Sequence, residues 1–111
     1  MKITTRSKNQ VAIIDLDGDL MPGFGPEDLT GTVSELLREG SRNFLLNLTQ
    51  VEQIDSSGIG ALVRAFTRIR KQGGNLKLLK PSTVLQRVFK LTRLSTVFDI
   101  FEDETEAISS F

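Results

Sequence analysis

The chain has 111 residues, 39% of them hydrophobic, with 14 basic and 14 acidic side chains, so one domain with its own core is expected. It contains no Cys and no His, which excludes a disulfide framework, a thiolate nucleophile, a Ser-His-Asp triad and a zinc site of the usual kind. No apolar run approaches the ~20 residues that span a bilayer, and Met1 to Arg6 lacks the apolar stretch of a signal peptide, so a cytoplasmic protein is expected.

Ile3 to Arg6 alternates like a short strand, Asn9 supplies a turn, and Val11 to Leu16 follows as a second strand, which predicts a hairpin. Gly18-Asp19 ends it. The segment Met21-Pro22-Gly23-Phe24-Gly25-Pro26 is dense in helix breakers and predicts a loop. Pro26 suits the first position of a helix with Leu29, Val33, Leu36 and Leu37 on its apolar face, and Gly40 suits its end. Phe44 to Thr49 is the third strand. A second helix opens at Asp55-Ser56-Ser57, carries Leu62, Val63, Phe66 and Ile69 at helical spacing, and stops at Gly73-Gly74. Leu76 to Leu79 is a strand, and Pro81-Ser82 caps a third helix bearing Val84, Leu85, Val88 and Phe89. Val97 to Phe101 is the expected last strand, and Glu104 to Phe111 a final short helix. Strands alternating with helices predict an α/β fold: a mostly parallel mixed sheet of about five strands and about four helices, with helices expected on one side of it.

Ile54-Asp55-Ser56-Ser57-Gly58-Ile59-Gly60 is the most informative run. It sets two hydroxyls beside a carboxylate at a helix start, where free N–H groups and the positive end of the macrodipole favour an anion. A plain helix cap accounts for these residue types equally well. Gly58 and Gly60 lack the Lys and Ser/Thr that complete a phosphate-binding loop. No Gly lies two residues before either Ser, as a nucleophile elbow needs.

The charges are segregated. Residues 56–98 carry nine basic side chains and no acidic one, while Asp99, Glu102, Asp103, Glu104 and Glu106 follow with no base. These charges are either solvated faces that balance in space, or a basic half that attracts an acidic partner or a nucleic acid. With 7 Phe and no Tyr or Trp, stacking platforms for nucleic acid are not expected.

Asp55-Ser56-Ser57-Gly58-Ile59-Gly60-Ala61-Leu62 resembles the signature of STAS domains, in particular the bacterial anti-sigma factor antagonists. The likeness extends to Ile14 to Leu20, Phe44 to Leu48, Lys71 to Leu76, Pro81-Ser82, Val88-Phe89 and Leu94-Ser95. It implies a single STAS domain over 1–111, not an enzyme, with no cofactor, no metal site and no catalytic residue. It implies that Ser56, the first Ser of the pair, is phosphorylated by an anti-sigma factor that is itself a serine kinase, and that a phosphatase resets it. The unphosphorylated form would bind the kinase through Asp55, Ser56, Ser57, Gly58, Ile59 and Gly60, without touching nucleic acid or membrane. The loop from Met21 to Pro26 departs from the family pattern; Met21 and Phe24 either join the partner surface or fold back on the core. A scaffold STAS module without a phosphorylation cycle, and a small-molecule or nucleotide-binding one, are the alternatives.

Overall fold

The computed structural model describes residues 1–21 and 26–111. Its strands are β1 (Lys2–Lys8), β2 (Val11–Asp17), β3 (Asn43–Gln50), β4 (Asn75–Leu79) and β5 (Ile100–Phe101), and its helices α1 (Pro26–Arg38), α2 (Ser56–Lys71), α3 (Thr83–Leu91) and α4 (Glu104–Ser109). The sheet runs β1-β2-β3-β4-β5, with β1 antiparallel to β2 and every other pair parallel. The hairpin closes through Asn9 and Gln10, at φ 51° and 65°. Two left-handed residues in a two-residue loop match the twist of the strands they join.

The three central strands are buried on both faces, so they read as nearly unbroken apolar runs. Ala12, Ile14, Leu16, Phe44, Leu46, Leu48, Leu76 and Leu78 face one way and form the larger core with Leu29 and Val33 of α1, Leu62 and Ile69 of α2, and Leu85 and Phe89 of α3. Val11, Ile13, Leu45 and Leu79 face the other way and pack on Ala107 and Ile108 of α4. Helices therefore lie on both sides of the sheet, which corrects the expectation of one side. The reason is the second apolar face: left bare, it would expose four large side chains to water.

The last strand is shorter than expected. Leu94–Thr96 forms a 3₁₀ turn, and only Ile100–Phe101 pairs with β4. Phe98 leaves the strand path to enter the larger core, where it meets Phe66 edge-on at 5.1 Å between ring centroids and Phe89 at 6.5 Å. Its burial outweighs the ladder bonds that a longer edge strand would add.

Two polar contacts hold α4 in place. Lys77 is buried beneath it; its Nζ donates to the Ser110 carbonyl at 2.9 Å and to Ser110 Oγ at 2.8 Å, and lies 4.6 Å from the centroid of the Phe111 ring. Arg6 donates to Asp15 at 2.8 Å and also pairs with Glu104. Hydrogen bonds from Arg6 hold the Asp15 and Glu104 carboxyl groups below their ordinary range. A carboxyl lowered in the folded state contributes stability above its unfolded value and loses it as pH falls through the folded one. All three side chains are partly solvated, so the contribution is no more than about 1 kcal/mol at neutral pH. Glu104→Gln is therefore expected to cost little at pH 7 and to make stability fall less steeply below about pH 4.5. Urea melts across that range check it; an unchanged slope would remove the ion pair from the account.

Candidate phosphorylation switch at the start of helix α2

The helix start is placed by a short extension of the β2–β3 pairing. Leu20 bridges Ile54; the Leu20 N–H donates to the Gln53 carbonyl at 3.0 Å, and the Asp55 N–H donates to the Leu20 carbonyl at 3.3 Å. Asp19 Oδ1 accepts the Gln53 N–H at 3.1 Å. The chain thus arrives extended at Asp55, at φ −117° and ψ −170°, and turns into the helix at Ser56.

Asp55, not a serine, is the cap. Its Oδ1 accepts the Ser57 N–H at 3.0 Å, the Gly58 N–H at 3.2 Å and the Ser57 hydroxyl at 2.7 Å. The Ser57 hydroxyl is the largest cause holding this carboxyl below its ordinary value, and the Gly58 and Ser57 N–H groups add to it. The two serines are therefore unlike. Ser57 is half-buried with its hydroxyl committed to Asp55, whereas Ser56 is exposed and its hydroxyl has no hydrogen-bond partner among the described residues. Among the described residues no side chain accepts a hydrogen bond from the Ser56 hydroxyl, and Asp55 Oδ1 is already taken by Ser57 and Gly58. Such a hydroxyl suits a group that another protein modifies, rather than a nucleophile of this chain.

Gly58 and Gly60 differ as well. Gly58 is buried against the chain's own backbone: a Cβ there would lie 2.2 Å from the Leu20 carbonyl oxygen and 2.7 Å from Ile54 Cγ1. A Cβ on Gly60 would meet only the Arg64 guanidinium, at 3.1 Å. Ile59 is half-exposed beside Ser56. Helix α2 buries Ala61, Leu62, Ala65 and Ile69, while Val63, expected on that face, is 39% exposed. One residue is 100° of rotation, which carries Val63 off the stripe.

Met21 is half-buried and follows Leu20, so the bridge brings it alongside the start of α2. Phe24 lies outside the described residues. Sequence position alone does not mark Leu20 as the residue that seats the helix start. The signal for it was indirect: a helical glycine at 58 implies that something approaches closely.

Residues 2–107 match the STAS domain. The chain belongs to the STAS domain family. This STAS domain is 34% identical over 74 residues to a Thermotoga maritima protein named as a candidate anti-sigma factor antagonist, a match covering 67% of this chain and 66% of that protein. It is 39% identical over 64 residues to the anti-sigma-B factor antagonist of Bacillus subtilis, covering 58% of this chain and 59% of the relative. The match thus spans just under two thirds of the first relative's length and less of the second's. The phosphorylated form of the Bacillus cell fate determinant SpoIIAA has the same fold, with a TM-score of 0.76 over 98% of each chain at 22% identity.

Proposed function

We propose that this STAS domain is a cytoplasmic anti-sigma factor antagonist, a binding switch rather than a catalyst, turned off by phosphorylation of Ser56. The observation that carries the reading is the exposed, unbonded Ser56 hydroxyl at the first position of α2, beside a carboxylate that already holds its neighbour. Relatives named as antagonists support the role, and SpoIIAA is known in a phosphorylated form. The partner surface comprises Asp55, Ser56, Ser57, Ile59 and Gly60, with Gly58 shaping the backbone under them and Met21 at its edge; Phe24 is taken to add an apolar contact to the partner. The anti-sigma factor is taken to be a serine kinase, and a phosphatase restores the free hydroxyl.

The test is to incubate the protein with the serine-kinase anti-sigma factor of its own organism and ATP, and to map the product by mass spectrometry. Phosphate on Ser56 alone is expected, and Ser56→Ala should abolish it while still binding the kinase. Phosphate on Ser57, or none, would overturn the reading.

A further inference from the structure

Helix α1 separates charge between its two flanks. Glu27, Asp28 and Glu35 line a hollow toward Met1 and Ile3, and Glu39 lines one toward Thr5 and Ser7. The other flank faces α2, which has no acidic residue. On α2 itself a shallow groove is lined by Val63, Arg64, Arg68 and Lys71, and a second hollow, which shares Arg68 and Gln72 with it, reaches Ser34 and Arg38 of α1. Among the described residues, ion pairs engage only Arg6 and Lys77 as cations, so none of these four is paired with a carboxylate. Arg68 is held by the Ser34 hydroxyl, which fixes one guanidinium in the groove.

Cations in the last turn of a helix complement its dipole, and that accounts for Arg68 and Lys71. It does not account for Arg64, nearly two turns from the helix end, or for Val63, a large apolar residue left in water beside it. A groove with Val63 at one edge and cations that no carboxylate pairs fits a partner with apolar and carboxylate side chains in alternation along one segment. It fits nucleic acid poorly: no aromatic ring lines it, and the acidic flank of α1 lies next to it. Arg64 is eight residues from Ser56, about 12 Å along the helix, and Lys71 is farther still.

We propose that the basic face of α2, from Val63 to its seam with α1 at Arg38, docks an acidic, amphipathic segment of a protein partner, at a surface separate from Ser56 and indifferent to its phosphorylation. The inference does not rest on the phosphorylation reading. Its test uses the full chain and a labelled helical peptide of glutamate and leucine, followed by fluorescence anisotropy. Binding should weaken by at least about tenfold between roughly 50 and 200 mM salt. The variant R64Q/R68Q/K71Q should lose about as much, with an unchanged melting temperature, and Ser56→Asp should bind like the unaltered protein. If the triple variant does not fold, R38Q/V63S makes the same comparison. No peptide binding, equal binding by the variants, preference for a DNA duplex of matched charge, or salt-sensitive self-association that assigns the groove to a second copy would each overturn it.

Discussion

Replacing Gly58 with alanine is expected to destabilise the domain by about 2–3 kcal/mol, a fall of roughly 10 °C in melting temperature for a chain of this size. In an exposed helix the same change would stabilise by about 1 kcal/mol, because alanine loses less backbone freedom than glycine. Here the new methyl group would sit 2.2 Å from the Leu20 carbonyl oxygen and 2.8 Å from Leu20 Cβ. That carbonyl cannot withdraw cheaply, since it accepts the Asp55 N–H that sets the helix start. Relief would have to come from moving α2 off the sheet, which opens the core around Leu62 and Ala65. Gly60→Ala is the control. Only the end of the exposed Arg64 side chain is near, and it can swing away, so a gain of about 0.5–1 kcal/mol is expected. Thermal melts of the two variants, side by side, decide the matter. Equal stability would mean that the approach of Leu20 relaxes at no cost.

Phosphoserine at position 56 is expected to weaken the anti-sigma factor complex by about 100-fold or more, close to 3 kcal/mol, while leaving the melting temperature nearly unchanged. The modification adds about −1.5 to −2 charge at pH 7. Within the free domain that charge meets the N-terminus of a sixteen-residue helix and an open solvent face, so the fold tolerates it. A partner surface shaped to a neutral hydroxyl must instead bury a dianion next to the ionised Asp55, and like charges brought together in a desolvated contact cost several kcal/mol. Ser56→Asp should reproduce part of the loss, because one charge imitates two poorly. Calorimetric titration of the phosphorylated and unphosphorylated chains against the anti-sigma factor measures the difference. Equal affinities would remove Ser56 from the recognition surface, and a large drop in melting temperature would make the effect one of unfolding.

The elements that repeat with a short period were legible along the chain. The apolar run of Val11 to Leu16, the turn at Asn9, the helical spacing of Leu29, Val33 and Leu37, and the caps at Asp55 and Ser82 are each set by interactions within a few residues, so local sequence is enough to specify them. The place of the candidate switch was legible for the same reason: strand, short connection and helix follow one another directly. Tertiary structure decided which surfaces remained to be filled. The spare apolar face of the sheet drew α4 across to Val11, Ile13, Leu45 and Leu79, and the gap beside Phe66 and Phe89 drew in Phe98 at the expense of the last strand. Two adjacent serines of identical chemistry became one bonded and one free, because Asp55 turns its single cap oxygen toward Ser57. The nine basic residues between 56 and 98 separated in the same way. Lys77 went beneath α4, while Arg64 and Lys71 stayed on the outer face of α2 and Arg68 met Arg38 across a hollow that forms only when α1 and α2 pack side by side. Charge along a chain is a local property, but its neighbours across a groove are chosen by the packing of elements distant in sequence.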